Sequence, residues 1–408
     1  MTPVMDLATA PLRPTTGPEW ASRDSGDPTK WGNRGVDNAP PSRGAAPEYS
    51  PGPTTGRIPY IDMARGLFLI LMTSTHAMTL AGVPATSPLM HWGLPRGWAT
   101  TGLIMLCGFM VATFAREMEA RASIRQRVLR RARRVFLVMF ASNVLMVAIR
   151  HVMAHETAPL FTFQWWSRFL LFRGEWSISG ILLPIGLFLL AAPALVGLYD
   201  RCRSRPRMIT LGIGVLLFAG LAWSVQVLTP DSLGHHDALN MMFGSGAGGF
   251  PVIPMVASGA LGFLLGILWQ PAREDPDGPT TLGIVLLFIA TSQMLSLTPS
   301  ILARFAARTL MDVSHLVLIF VLAIAITQWR PLRQGLRFVP LLGRYSLFVF
   351  LAHRVVEQML SLGLRPLALP SELVYFLCFF GGVLGSVELI LWRRMWPGYD
   401  KLLKAVYL

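Results

Sequence analysis

The stretch Ile58–Leu80, IPYIDMARGLFLILMTSTHAMTL, decides how the rest of the chain is interpreted. It is long and apolar enough for a membrane-spanning helix, because a bilayer core requires about 20 mostly apolar residues. Ionisable side chains nevertheless occur inside it, at Asp62, Arg65 and His76. Such groups are costly in hydrocarbon and usually serve a function there. The stretch therefore predicts a transmembrane helix that carries functional groups.

The positions of Arg65 and His76 place both on one face of this helix. They are eleven residues apart, which is three helical turns plus about 20°, with a separation of about 16 Å along the axis. Asp62 precedes Arg65 by three residues, so we expect an i,i+3 ion pair between them. Taken alone, Arg65 could instead extend to the lipid headgroups, and His76 could be a hydrogen-bonded packing residue.

The composition is that of a polytopic α-helical membrane protein. The chain has 408 residues, of which 53% are hydrophobic and only 14% are charged, and the apolar residues recur in runs of about 20. The net charge of +14 is compatible with binding to nucleic acid. However, the positive residues are distributed as in a membrane protein of defined topology, so we expect no nucleic-acid partner.

The pattern predicts three regions. Residues 1–57 are rich in Pro, Gly, Ser and Thr and cannot bury a core, which indicates a disordered cytoplasmic tail. Residues 58–395 form the integral-membrane domain, and 396–408 form a cytoplasmic C-terminal tail. About ten transmembrane helices are predicted, near 58–80, 97–115, 133–151, 178–199, 208–228, 251–269, 281–299, 312–328, 341–361 and 372–392.

Charge asymmetry between the loops predicts the orientation. With residues 1–57 in the cytoplasm, the inner segments hold 20 Lys or Arg residues and the outer segments hold seven Arg. This positive-inside bias favours an even number of spans with both termini in the cytoplasm. We therefore expect a multi-pass protein of the inner or plasma membrane, surrounded by membrane lipids.

An arginine cluster precedes the third predicted span, in RASIRQRVLRRARRVFLVMF. Arg130 with Arg133, and Arg131 with Arg134, have i,i+3 spacing, so each pair shares a helix face. Guanidinium pairs can hold phosphate groups by bidentate contacts. Coenzyme A suits such a site, since its phosphates would stay at the surface while its arm enters the bundle. The cluster could also serve topology and anionic lipids alone.

Two further features bear on chemistry. His353 and Glu357 are i,i+4 neighbours in the ninth predicted span, so the carboxylate could fix the imidazole tautomer or simply form a stabilising polar pair. The trio His235–Asp237 lacks the spacing of a metal site. We therefore expect no metal and no bound cofactor.

Five segments in order resemble the membrane acyltransferase-3 superfamily. They cover roughly residues 58–395 and are RGLFLILMTSTH, with its Arg-x10-His spacing; TGLIMLCGFMVATF; RVLRRARRVFLVMF; EWSISGILLPIGLFLLAAPAL; and PLLGRYSLFVFLAH. The acidic pair that often follows Trp-Ser-Leu-Ser is absent, with Gly180 and Ile181 in its place. The pattern is comparably similar to the periplasmic glucan succinyltransferases and to the heparan-α-glucosaminide acetyltransferase-like proteins.

The resemblance implies an enzyme that moves an acetyl or succinyl group from cytoplasmic acyl-CoA to a hydroxyl or amine of an envelope glycan or similar acceptor. His76 and Arg65 would be catalytic, with His76 as general base or acyl carrier. Arg65 would position the donor or stabilise the developing oxyanion. The four arginines Arg130, Arg131, Arg133 and Arg134 would bind the donor, and His353, Glu357, Trp176 and Ser177 would support the site.

Two other functions remain compatible with the residues. In a transporter or flippase for a lipid-linked or anionic solute, Arg65, His76 and His353 would be substrate or proton-relay residues. A non-catalytic membrane scaffold would carry the same motifs without chemistry. Consumption of acyl-CoA separates the enzyme from both.

Overall fold

The computed structural model describes residues 58–84, 98–116, 118–153, 162–170, 179–202, 204–228, 251–269, 289–298 and 300–405, together with residues 87, 242, 243 and 287. Within these residues every regular element is helical. The α-helices are α1 Pro59–Ala81, α2 Trp98–Arg116, α3 Met118–Met153, α4 Phe163–Leu170, α5 Ser179–Arg201, α6 Arg205–Leu228, α7 Val252–Leu268, α8 Ile301–Gln328, α9 Arg330–Gly335, α10 Phe338–Arg344, α11 Ser346–Leu364, α12 Ser371–Met395 and α13 Pro397–Ala405. The predicted N-terminal tail lies outside the described residues.

Seven helices in the described part of the chain are long and apolar enough to cross a membrane, namely α2, α3, α5, α6, α8, α11 and α12. The protein is therefore a multi-pass membrane protein of all-α class, as predicted. Large apolar side chains on the outer faces, such as Leu217, Leu221 and Leu384, are more than 60% exposed, which suits contact with lipid. The predicted number of about ten is not established by these seven, and the predicted span 281–299 is described only in part.

Two boundaries differ from the sequence prediction. The arginine-rich segment predicted as a loop before residue 133 is helical, so α3 runs without interruption from Met118 to Met153. Its Ala, Arg, Leu and Gln residues are strong helix formers, whereas the prediction rested on hydropathy alone. The ninth predicted span is divided at Tyr345 into α10 and α11. The predicted C-terminal tail contains helix α13.

Helix α1 lies at the centre of the bundle and begins and ends within one residue of the predicted stretch. It contacts α2, α8, α10, α11 and α12. Its apolar side chains on several faces, including Met63, Phe68 and Met72, are buried, as expected for a helix surrounded by others. Gly82 ends it in the left-handed conformation with φ of 65°.

Glycines let α1 approach α10 very closely. A Cβ atom added at Gly66 would clash with the carbonyl oxygen of Val339, and one added at Gly343 would clash with the carbonyl oxygen of Asp62. Small residues allow such backbone contact between helices in membranes. This crossing fixes the Arg65 end of α1 against α10.

Candidate active site

The centre of the site is a pair of histidines from distant parts of the sequence. The rings of His76 on α1 and His353 on α11 stack, with centroids 5.6 Å apart and an interplanar angle of 21°. His353 is fully buried, while His76 is partly exposed. The predicted catalytic residue and a predicted supporting residue therefore lie in direct contact.

Hydrogen bonds to two neighbouring helices hold the His76 segment of α1. The hydroxyls of Ser74 on α1 and Tyr375 on α12 are 2.9 Å apart. Ser361 on α11 donates to the carbonyl of Leu80 over 3.2 Å. Because α1 is bonded on both sides of His76, its imidazole is placed by three helices rather than by α1 alone.

The backbone, and not Glu357, selects the tautomer of His353. Its Nδ1 lies 2.7 Å from the carbonyl oxygen of Val349, and a carbonyl only accepts, so Nδ1 carries the proton. Nε2 is then an acceptor, and it is buried without a hydrogen-bond partner among the described residues. The expectation that Glu357 fixes this ring is wrong, since both buried carboxyl oxygens of Glu357 also lack a partner there.

Glu357 lies instead at the meeting point of three helices. Its side chain is fully buried, and a Cβ added at Gly382 of α12 would come within 3.0 Å of both the Glu357 Cγ atom and the Thr73 Cγ2 atom of α1. The absence of a side chain at Gly382 therefore makes room for Glu357. This packing joins α1, α11 and α12 one turn beyond the histidine pair.

Arg65 forms the predicted ion pair with Asp62. Its Nη1 donates to the carboxylate over 3.1 Å, and the two side chains are only 12% and 21% exposed. Its Nη2 contacts the sulfur of Met110 on α2. Arg65 is therefore held inward, between α1 and α2, and not extended to the headgroups as the alternative interpretation required.

A cavity of about 660 Å³ adjoins Arg65, within the usual range for ligand pockets. Among the residues that the structure describes, seven arginines from several helices line it. They are Arg65, Arg127, Arg130, Arg131, Arg134, Arg344 and Arg393. The cavity therefore brings together Arg65 and three of the four arginines predicted to bind the donor.

The arginines of α3 that reach the cavity form a different set from the one predicted. Arg127, Arg130, Arg131 and Arg134 have i, i+3, i+4 and i+7 spacing, which is one helical stripe, and all four line the cavity. Arg133 is not among the lining residues. Of the predicted pair Arg130 and Arg133, only Arg130 therefore lines the cavity, together with Arg127, and donor binding by these arginines stays a prediction.

One residue of the cavity wall contacts the histidine pair. Away from the arginines it is apolar, with Leu69, Leu106 and Phe350 among its lining residues. Phe350 also meets His353 edge to face, with ring centroids 5.9 Å apart. One aromatic side chain thus connects the arginine-lined cavity to the stacked imidazoles.

Arg393, which the sequence did not single out, belongs to a small network at the cavity edge. Its Nε donates to Asp400 of α13 over 2.9 Å, and its guanidinium lies 5.2 Å from the ring centre of Tyr345. Hydrogen bonds from Lys404 and Arg393 hold the pKa of Asp400 below its ordinary value. Asp400 is therefore an anion at neutral pH, and it ties α13 to this cavity-lining arginine.

Some of the residues predicted from the sequence fall outside the described ranges. These are Trp176 and Ser177, predicted to support the site, and the trio His235–Asp237. Within the described ranges, no group of three or more His, Cys, Asp or Glu side chains could hold a metal ion.

Sequence reasoning also missed three of the cavity arginines, Arg127, Arg344 and Arg393. An arginine at the end of a span ordinarily indicates only topology. The one available signal was the spacing of Arg127 from Arg130 and Arg131, which continues their stripe by one turn.

Comparison with known proteins identifies one family. A family model described as an acyltransferase domain, of the acyltransferase-3 type, matches residues 58–392. The match includes the histidine pair and all but one of the arginines of the cavity, Arg393 lying one residue beyond it. No curated protein and no solved structure matches the chain.

Proposed function

The chain belongs to the acyltransferase-3 family of membrane proteins over residues 58–392, and on that premise we propose that it transfers an acetyl or succinyl group from cytoplasmic acyl-CoA to a hydroxyl or amine of an envelope glycan or similar acceptor. The observation that carries this proposal is that Phe350, a lining residue of the arginine-rich cavity, contacts His353 of the histidine pair. We propose that a donor whose phosphates bind the arginines would extend its acyl group toward the histidine pair.

The cavity has the two surfaces that an acyl-CoA molecule needs. Its arginines offer planar, permanently charged forks for the phosphates of coenzyme A, and its apolar wall suits the arm and the acyl group. Arg65 lines this cavity, largely buried and paired with Asp62. We assign Arg65 to positioning the donor as it passes from the charged to the apolar part.

The charge distribution supports a cytoplasmic donor. The arginine-rich ends of the helices are those that the positive-inside rule assigns to the cytoplasm of the inner or plasma membrane. His76 is about 16 Å farther along α1 than Arg65, toward the opposite side. Both termini would then be cytoplasmic, and an acceptor would approach His76 from outside.

At the histidine pair, His76 is the proposed general base. A hydroxyl is a poor nucleophile until its proton is removed, and neutral imidazole suits this task near pH 7. The acceptor oxygen bonds to the thioester carbonyl carbon while its proton moves to His76. The carbon–sulfur bond then breaks, and that proton passes to the departing sulfur, giving the acylated acceptor and free coenzyme A.

A covalent variant uses the same residue. His76 would attack the thioester and carry the acyl group, which the acceptor then takes from the imidazole. In either case His353 supports His76 by ring stacking, and its Nδ1 bond to Val349 fixes its own orientation. Partners implied are acyl-CoA, the acceptor and membrane lipids, with no bound cofactor.

The experiment is a donor assay on the full-length protein in liposomes, followed by mass spectrometry of the envelope. We expect acyl-CoA thioester to be consumed in the presence of envelope glycan, and glycans from cells lacking the protein to miss an acetyl or succinyl mass. Solute flux across the liposome without thioester consumption would contradict the proposal and favour a transporter.

A further inference from the structure

Helix α13 holds one of the cavity arginines by an ion pair. Arg393 lies in the last turn of α12, and its Nε donates to Asp400 of α13 over 2.9 Å. The two side chains are only 10% and 25% exposed. Arg393 and Asp400 both lie outside residues 58–392, which the family model matches, so membership of the family assigns no role to this pair.

Asp400 is well supported because one side of α13 packs against the bundle. Leu403 is buried in the main apolar core, and Tyr399 packs against that core. Asp400 is next to Tyr399 and is the i,i+3 neighbour of Leu403, so it lies on the packed side of the helix. Lys401 and Leu402, in contrast, are exposed. The packing of α13 therefore fixes the position from which the carboxylate accepts the bond of Arg393.

This bond keeps Arg393 at the cavity instead of among the lipid headgroups, where an arginine at the end of a membrane span ordinarily extends. The guanidinium of Arg393 lies 5.2 Å from the ring centre of Tyr345, and both residues line the cavity. The next residue, Arg394, is exposed and is not among the lining residues. Asp400 and Tyr345 together therefore hold the Arg393 guanidinium at the cavity edge.

Lys404 is a second partner of Asp400 but constrains it less. Its Nζ contacts the other carboxylate oxygen from one turn later on α13, and its side chain is 68% exposed. Ion pairs that are open to water contribute little, because solvent and salt screen them. The bond to Arg393 is the more buried of the two, so Asp400 acts chiefly on Arg393.

A carboxylate at the edge of an anion-binding cavity has two opposite effects. Its negative charge repels an anionic donor, so that removal of the charge alone would tighten binding. Its bond also orders Arg393, and a donor that had to order a mobile arginine side chain would bind about tenfold more weakly. Lys404 offsets part of the charge of Asp400, and salt screens the remainder. We therefore expect the ordering effect to be the larger.

We propose that Asp400 is a positioning residue for the donor, which holds Arg393 at the cavity edge so that its guanidinium binds a phosphate of coenzyme A. The bond to Asp400 uses Nε, and contact of the Nη groups with a phosphate is compatible with it. Neither residue makes or breaks a covalent bond. This inference rests on the proposed function, because it takes the cavity as the donor site, and it adds helix α13 to that site.

The test measures the Kd of coenzyme A for the full-length protein in detergent by isothermal titration calorimetry, beside kcat in the liposome assay. Asp400→Ala should raise Kd about tenfold, because Arg393 is no longer ordered. It should leave kcat unchanged, because neither residue of the pair is assigned to the reacting atoms. The matched controls Arg394→Gln and Lys404→Gln each remove an exposed charge nearby, and both should stay within about twofold of the wild-type Kd.

A double-mutant cycle shows whether Asp400 acts through Arg393. In protein that already carries Arg393→Gln, the further change Asp400→Ala should alter Kd less than about twofold, because the side chain that Asp400 orders is absent. Asp400→Glu keeps a carboxylate and should bind coenzyme A more tightly than Asp400→Ala does. An equal loss of affinity on Asp400→Ala in both backgrounds would overturn the positioning role and make the effect one of folding.

The direction of the change in Kd decides the proposal. An unchanged or lowered Kd for Asp400→Ala would overturn it, since the charge effect alone predicts tighter binding. If Asp400→Ala fails to accumulate, Asp400→Asn decides by the same direction of change, because an amide binds a guanidinium less tightly than a carboxylate does. Wild-type protein that binds no coenzyme A would overturn the proposed function itself, a result distinguishable from wild-type binding that is insensitive to Asp400.

Discussion

His76 and His353 are 277 positions apart in sequence, yet their rings stack with centroids 5.6 Å apart. The contact joins the first helix of the bundle to a late one. The two rings differ in their surroundings. His353 is fully buried and its orientation is fixed by the hydrogen bond to Val349, whereas His76 is partly exposed. This asymmetry distinguishes the two residues chemically.

The asymmetry predicts unequal effects of substitution. His353→Gln should lower acyl transfer less than His76→Gln, because His353 supports the neighbouring ring and is not the proposed base. It should also destabilise the protein, since disturbing a buried hydrogen bond costs about 1–3 kcal/mol. Transfer rates and unfolding temperatures in detergent measure the two effects. If His353→Gln abolished transfer while His76→Gln remained active, the active site would have to be assigned to α11 instead of α1.

The arginine stripe of α3 predicts a defect in donor binding. Replacing Arg127 and Arg131 together with Gln should raise the KM for acyl-CoA at least about tenfold, because each charge-assisted hydrogen bond contributes about 1.5–3 kcal/mol. The matched control is the double change of Arg125 and Arg133 to Gln. Both are exposed residues of the same helix that do not line the cavity.

The two double variants remove equal charge from the same segment, so membrane insertion should be affected equally. Saturation curves for acyl-CoA therefore separate recognition from topology. Equal KM values in the two correctly inserted variants would assign the cluster to topology and lipid contact alone.

The close crossing of α1 and α10 predicts that Gly343→Ala disturbs the fold. The new Cβ would clash with the Asp62 carbonyl, and overpacking typically costs about 1–3 kcal/mol. A lower unfolding temperature and weaker acyl-CoA binding should result, since Asp62 orients Arg65. Gly363→Ala is the control, because nothing lies within 4 Å of a Cβ there and alanine favours a helix. Equal unfolding temperatures for the two variants would argue against this crossing.

The positive-inside assignment predicts the location of each loop. Reporter fusions after residues 120, 204 and 335 should report cytoplasm, and fusions after 160 and 240 should report the outer side. Eight arginines in 116–134 are a strong signal for retention in the cytoplasm. An outer location of the reporter at residue 120 would therefore reverse the proposed side of donor access.

Local features of the site followed from the sequence because they depend on spacing along one helix. The bounds of α1 and the ion pair of Asp62 with Arg65 are of this kind. Which helices pack against each other does not follow from spacing along one helix. Neither the stacking of His76 on His353 nor the cavity position of Arg393 has a signal in sequence spacing, since each depends on which helices pack together.

The errors have similar physical origins. Arg127 was not singled out, because the third span was predicted to begin near residue 133, whereas α3 begins at Met118 and its arginine stripe includes an earlier turn. The i,i+4 spacing left two roles open for Glu357, and it does not fix the His353 tautomer, because the Val349 carbonyl, one turn in the other direction, accepts the hydrogen bond from Nδ1 at 2.7 Å. A backbone acceptor is available to any helical histidine and leaves no trace in the sequence.

The central claim is that His76 is the base or acyl carrier, and the His76→Gln variant tests it most directly. Gln keeps a hydrogen-bonding amide but cannot accept a proton near neutral pH. Transfer of labelled acyl groups from acyl-CoA to envelope glycan, measured on wild type and variant at equal amounts in liposomes, should fall at least about 100-fold, because general-base participation contributes about 10²–10⁴-fold. A variant that accumulates normally and keeps half of the wild-type rate would contradict the assignment of His76.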